Sequence, residues 1–278
     1  MDYILKFVSP AGEILMGDGR HDFFRLNSVL GLGLPELERQ TVIFSGRRGE
    51  KTVSSRFLPR IITVGGDIIE KNALGRIIRV LSDKGTLYVK SRGEERQIDV
   101  RAIAMEEAEK IGDITRVVFQ FVADDPAFTA YYDEKKGIYS RTDLIKGSFT
   151  PPCVFTERIS GGCVVNSGDL DVEPVIYVIC EETSGKVSQI TITHNDNGAK
   201  IKLSHKFSAG ETLIIDIGNA EITDADGKSL LSSVSDDTYL SEFILKKGEN
   251  NISIQSDDAK CRLKIYCVYK NRFLEAIL

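Results

Sequence analysis

The chain has 278 residues, 42% hydrophobic and 28% charged, the make-up of a globular protein with room for two domains. Its net charge of −5 divides unevenly: residues 1–150 hold 23 Lys+Arg against 22 Asp+Glu, and the remainder 13 against 19. Neither part has the surplus of Lys and Arg that a nucleic-acid surface requires.

The start, Met1 to Lys6, lacks a basic segment followed by a long apolar run, so no signal peptide is read there. The longest apolar run, Val175 to Cys180, falls far short of a membrane span. The five cysteines (153, 163, 180, 261 and 267) are odd in number and form no C-x-x-C pair. Reduced, mostly buried thiols in a protein made in a cytoplasm are the expectation, with no zinc site.

In chain order, Tyr3 to Val8 reads as a strand and Pro10-Ala11-Gly12-Glu13 as its turn. Phe23 to Val29 is extended and runs into Gly31-Leu32-Gly33-Leu34-Pro35. These glycines do not make a phosphate loop, because a third glycine at the required spacing is missing and Pro35 interrupts the helix start that would receive the phosphate. They read as a sharp bend. Thr41 to Phe44 and Phe57 to Val64 read as a hairpin around the polar tip Ser45 to Lys51, where Arg47 and Arg48 are either a grip for an acidic partner or a solvated tip.

Asp67 with Glu70 three residues later resembles a capping box, followed by Leu74, Ile77, Ile78 and Leu81 on one helical face and a stop at Gly85. Strands are expected at Leu87/Val89, Ile98/Val100 and Val117/Phe119/Phe121. Residues 131–150 are polar and end in Thr150-Pro151-Pro152, which places a domain boundary between residues 1–145 and 146–278. Beyond it Ile190/Ile192, Ile201/Leu203, Leu213/Ile215, Ile252/Ile254 and Leu263/Ile265/Cys267/Tyr269 alternate between turn signals, the pattern of a two-sheet sandwich or jelly roll. The fold class expected is mainly β with minor α: a β-rich first domain with one short helix, then a β-sandwich.

Chemistry is hard to find. No G-x-S-x-G is present, and His21, His194 and His205 have no metal-ligand spacing. Asp169, Asp171 and Glu173, and the turn Asp224-Ala225-Asp226-Gly227, read either as weak Ca²⁺ ligands or as ordinary acidic turns. Among the acids Asp169, Asp171 and Asp216 no glycosidase pair stands out. No catalytic, cofactor-binding or metal residue is assigned, and the chain is read as not an enzyme.

Several short motifs gain meaning from their order. The bend Phe24-Arg25-Leu26 to Pro35 is followed by the basic hairpin tip, Pro59-Arg60-Ile61-Ile62 and the short helix. Later come Asn166-Ser167-Gly168-Asp169 with Glu173-Pro174, then Gly210-Glu211-Thr212-Leu213-Ile214-Ile215-Asp216, then Gly248-Glu249-Asn250-Asn251-Ile252. This series resembles the distal tail (Dit) family of siphophage tail proteins. The resemblance implies a virion tail protein of a phage, prophage or tail-like particle, assembled in the host bacterial cytoplasm.

It implies further that the first domain forms a homohexameric ring joining the tail tube protein to the tail-tip hub protein. The second domain would be galectin-like and turned outward, toward a receptor-binding protein. Gly31, Gly33, Pro35, Arg47 and Arg48 are the candidate interaction residues. No cofactor, nucleic acid or membrane is implied. The alternative is a carbohydrate-binding module or glycan-acting protein of jelly-roll type, although the chain has no Trp on which a sugar ring would stack.

Overall fold

The computed structural model describes residues 3–17, 23–46, 48–70, 73–143, 156–159, 161–183, 185–258 and 261–276. The chain divides into two units: Met1–Tyr131 with Arg272–Leu278, and Tyr132–Asn271. The first contains β1 (Tyr3–Ser9), β2 (Gly12–Met16), β3 (Phe24–Leu30), β4 (Leu37–Ile43), β5 (Glu50–Phe57) and β6 (Arg60–Ile68). The helix α1 (Ala73–Leu81), β7 (Gly85–Ser91), β8 (Glu94–Ile111), β9 (Ile114–Ala123) and β10 (Phe128–Ala130) complete its first pass. The second unit holds β11 (Glu134–Asp143), β12 (Thr156–Ile159), β13 (Gly161–Asn166), β14 (Val175–Glu182) and β15 (Ser188–His194). It continues with β16 (Lys200–His205), β17 (Thr212–Asp216), β18 (Glu221–Asp224), β19 (Gly248–Ser256) and β20 (Arg262–Tyr269), after which β21 (Arg272–Phe273) returns to the first unit.

In the first unit one sheet runs β2-β1-β7-β8-β9-β6-β3, with β10 pairing both β8 and β21. The sheet curls far enough that Gly17, just past β2, bridges Arg25 of β3, and the Leu26 amide donates to the Gly17 carbonyl at 2.8 Å. Curling gives the alternating side chains a shared interior. Leu5, Phe7, Ile14, Met16, Ile62, Val64, Leu87, Phe119 and Phe121 are buried there. Phe7 meets Phe121 and Phe24 meets Phe119, with ring centroids 5.3 and 5.2 Å apart.

Helix α1 packs on β1 and β2, and the Ser9 hydroxyl donates to the Val80 carbonyl at 2.8 Å, satisfying a group the helix end leaves open. Its buried residues are Ala73, Ile77, Val80 and Leu81, while Ile78 is exposed. The apolar stripe is therefore turned by about one position from the one the spacing suggested. The expected capping box does not form: Asp67 lies inside β6, where its carboxylate accepts the Arg116 Nε at 3.1 Å.

The hairpin also differs from expectation. Its tip is where the sequence placed it, but the returning strand is Glu50–Phe57, and most of the segment Phe57 to Val64 belongs to β6 in the main sheet. The polar stretch Glu50-Lys51-Thr52-Val53-Ser54-Ser55-Arg56 reads as loop because no face of it is buried.

The second unit is a sandwich of two antiparallel sheets, β12-β11-β20-β14-β17-β18 and β13-β19-β15-β16. Their inward residues interleave: Ile176, Val178, Leu213, Ile215, Leu263 and Ile265 from one, Ile190, Ile192, Ile201, Leu203, Ile252 and Ile254 from the other. The division between units falls after Tyr131 rather than after residue 145, because β11 pairs with β20 over Glu134 to Ser140 and so belongs to the sandwich. The last residues, in turn, belong to the first unit. Among the described residues no helix is long and apolar enough to cross a membrane.

Candidate functional site

The hairpin β4–β5 forms a two-stranded sheet of its own, paired from Leu37 opposite Phe57 to Ile43 opposite Glu50, with a bulge between Gln40 and Thr41. Every residue of both strands is exposed except the half-buried Phe57. Cross-strand bonds fix its register: Ser54 Oγ donates to Gln40 Oε1 at 2.9 Å, and Arg56 Nε to Glu38 Oε2 at 2.6 Å. Apolar groups stand in the open nonetheless, with Ile43 77% and Val53 65% exposed and Val42 and Phe44 also uncovered. Arg48 is exposed at the tip; Arg47 and His21 lie outside the described residues.

The bend that feeds this hairpin is built with more force than its surface suggests. Gly31 has φ +89°, and a Cβ there would stand 2.1 Å from the Ile61 carbonyl oxygen, so only glycine fits. An added Cβ at Gly33 would meet nothing within 4 Å, and Pro35 is buried. What holds the bend is Arg60, an arginine only 3% exposed. Its Nη1 donates to the Gly31 carbonyl at 2.7 Å and to that of Gly33, its Nε to Pro126 at 2.8 Å and its Nη2 to Leu274 at 2.6 Å. The guanidinium lies 4.7 Å over the Phe128 ring. Burial pushes its pKa down to about 10, which leaves it charged at neutral pH.

A second buried arginine, Arg96, donates to the Glu275 carbonyl and stacks 3.7 Å over Phe273. The Ala276 amide donates to Leu32 at 2.8 Å. Arg60 and the Leu32 carbonyl thus hold the segment 274–276 against the bend, and Arg96 ties the same segment to β8, while Leu30 and Leu34 stand 68% and 74% exposed. Arg60 was legible in principle: it shares strand parity with Ile62 and Val64, which face the core.

The second unit's motif residues are turn pins. Asn166, 1% exposed, accepts from the Gly168 amide at 2.9 Å and donates to the carbonyls of Leu170 and Leu245 at 2.8 and 3.2 Å. Asn250, also buried, accepts from the Lys246 amide at 2.7 Å and donates to the Lys246 and Gly248 carbonyls at 2.8 and 2.9 Å. Asp169, read as a Ca²⁺ ligand or an acidic turn residue, receives Lys247 Nζ at 3.0 Å, and Asp171 receives Lys246 Nζ at 2.6 Å. Asp216 accepts from the Asn219 amide at 3.0 Å, and Asp224 from the amides of Asp226 and Lys228. Among the described residues no group of three or more His, Cys, Asp or Glu side chains is placed to hold a metal.

One constellation was invisible in sequence. His205 has Ser233 Oγ 3.3 Å from Nδ1 and Glu211 Oε1 2.8 Å from Nε2, the residue types of a nucleophile, a base and its orienting acid. The surroundings are those of a pinned loop. Glu211 also accepts from the Ser208 amide at 2.7 Å, and the ring packs edge-on against Phe207. The amides of Ser233 and Val234, which an oxyanion would need, are spent on the carbonyls of Leu230 and Leu231.

The comparisons agree with this picture of a scaffold. Residues 167–273 match the family model described as siphovirus-type tail component, C-terminal domain. No curated protein matches the sequence. Among solved structures, the crystal structure of the Dit protein (gp 19.1) of phage SPP1 superposes with a TM-score of 0.70 at 12% identity, covering 98% of this chain and 99% of that one. A chain of the phage P2 baseplate, in its activated conformation with Ca, superposes with a TM-score of 0.51 at 9% identity, covering 97% and 98%. Residues 167–273 thus match the C-terminal domain of the siphovirus-type tail components, and the fold over nearly the whole chain is that of the SPP1 distal tail (Dit) protein.

Proposed function

We propose that this chain forms a hexameric ring at the distal end of a phage tail, joining the tail tube to the tail-tip hub. The first unit makes the ring, and the galectin-like second unit faces outward, toward receptor-binding proteins. The protein is assembled in the host bacterial cytoplasm and its role is architectural, without turnover. The observation that carries the reading is the hairpin β4–β5. A lone two-stranded hairpin is marginal in water, yet this one stands as its own sheet with Val42, Ile43, Phe44 and Val53 uncovered. Such groups ask for a neighbour. In a closed ring one patch meets a different patch on the next subunit, and a hairpin on one side of each copy fits that rule. Gly31, Gly33 and Pro35 set its base, and Arg48 stands at its tip. The SPP1 relative is described as a hub adsorption apparatus paradigm, which supports the same placement.

The test is mass in solution across a dilution series, by light scattering and native mass spectrometry. Wild type should run as a hexamer. Ile43→Asp combined with Val53→Asp should shift it to monomer while both thermal transitions stay within about 2 °C, since exposed positions contribute little to folding. A wild-type monomer at every concentration, or a hexamer untouched by the double substitution, would overturn the proposal.

A further inference from the structure

The second unit contains a pair of thiols that none of the contacts above uses. Cys180 sits near the end of β14 and Cys261 just before β20, two antiparallel neighbours whose register shifts through a bulge between Cys180 and Glu182. Beside that bulge the two Sγ atoms stand 3.9 Å apart, in van der Waals contact, and both residues are buried. We infer that Cys180 and Cys261 are a built cross-link site, reduced when the chain folds and closed to a disulfide when the protein meets a peroxide.

The geometry is close to what the bond needs. Cys180 stands opposite Leu263 and Cys261 lies two residues before it, so the cysteines are diagonal neighbours whose side chains lean together until the sulfurs touch. The sulfur atoms must approach by roughly 2 Å, a movement within reach of side-chain torsions. The other cysteines among the described residues sit differently: Cys267 lies mid-strand opposite Ile176, and Cys163 is on β13 opposite Asn251.

Accessibility selects the oxidant. Burial, together with the adjoining Cys261 thiol, pushes the Cys180 thiol up to about 12, so little thiolate is present at neutral pH. Bulky disulfides of the glutathione kind are poor reagents for such a pair; hydrogen peroxide is small and neutral. One sulfur, reacting through its minor thiolate form, takes an oxygen atom from the peroxide, becoming a sulfenic acid and releasing one water. The partner sulfur then attacks that sulfur, the S–S bond forms, and the hydroxyl leaves with the partner's proton as a second water. Two thiols and one peroxide give one disulfide and two waters. The bond would close a loop between positions 81 residues apart and fasten β14 to the start of β20. The site depends only on the second unit, so it stands or falls separately from the ring.

The experiment compares the full-length protein kept in dithiothreitol with the same protein after hydrogen peroxide treatment. Thiols counted after denaturation should fall from five to three. Proteolytic mapping should find the Cys180 peptide joined to the Cys261 peptide, and the second unit's Tm should rise by on the order of 10 °C. Dithiothreitol should restore the starting values. Cys180→Ala and Cys261→Ala should each abolish the rise, whereas Cys267→Ala should keep it. Mapping on the wild-type protein decides the matter even where a variant folds poorly. Five thiols remaining after oxidation, oxidation stopping at sulfinic acids, or a disulfide mapped to any other pair would overturn the proposal.

Discussion

Replacing Arg60 by Met keeps most of the aliphatic stem and removes the guanidinium. Four backbone carbonyls, those of Gly31, Gly33, Pro126 and Leu274, then lose their donor inside the protein. Bonds from a charged donor are worth about 1.5–3 kcal/mol each, but they share one group whose burial is itself costly, so they do not add. A net loss of about 3–5 kcal/mol is expected, the range for breaking a buried charged network. In a unit of this size that lowers Tm by roughly 10–20 °C. Calorimetry of the full chain should resolve the effect: the first unit's transition falls, and the second's stays in place. Arg60→Lys should recover only part, because a single ammonium cannot reach carbonyls arranged around a planar fork. A loss under about 1 kcal/mol, or an equal fall in both transitions, would refute the view that Arg60 fastens the bend.

Asn166→Ala should destabilise the second unit by about 2–3 kcal/mol, since it strips a buried acceptor from Gly168 and two donors from Leu170 and Leu245. Asp169→Ala, which loses the ion pair with the exposed ammonium of Lys247, should cost less; the reverse order in urea titrations would contradict the turn assignment. Asp67 gives a pH dependence. Burial acts to raise its carboxyl, but bonds from Asn27 and Arg116 outweigh it and hold the pKa below the usual value. A folded pKa lower than the unfolded one means stability that is present above about pH 4 and lost as pH falls through the depressed value. Asp67→Asn should therefore be less stable than wild type at pH 7, with the gap closing below pH ~4; a gap that widens in acid would sink the argument.

What the sequence made legible was the part of the fold where one face is buried. Val117, Phe119 and Phe121, or Leu263, Ile265 and Cys267, alternate because every second side chain enters a core, and each lies in a strand. The returning arm of the hairpin was not legible for the converse reason: with both faces in the open, nothing selects alternation in Glu50 to Arg56. Helix α1 was found but its start was misplaced, because Asp67 and Glu70 have capping-box spacing while Asp67 is held in a strand by Arg116. The motif residues Asn166 and Asn250 were visible as letters and their use was not. An asparagine that pins a turn by bonding carbonyls as distant as Leu245 is recognised only once the chain has brought them together.

The same reasoning explains why the unit boundary was misjudged, and why the misjudgement matters. Residues Tyr132–Asn271 are an insertion in the first unit, between β10 and β21, and these two strands pair: Phe128 opposite Phe273, Thr129 opposite Arg272. The ends of the insertion therefore leave from neighbouring strands, about 5 Å apart. A unit whose ends lie that close can be changed or exchanged without altering the path of its host, the geometry that tolerates domain insertion. The host in turn depends on the chain's return, because Arg60 and Arg96 hold the carbonyls of Leu274 and Glu275. A fragment stopping near residue 135 would lack β21 and leave both arginines without those acceptors, so it cannot stand for the first unit. The unit that can is 1–131 rejoined to 272–278, and the strand pair β10–β21 is where the joint belongs.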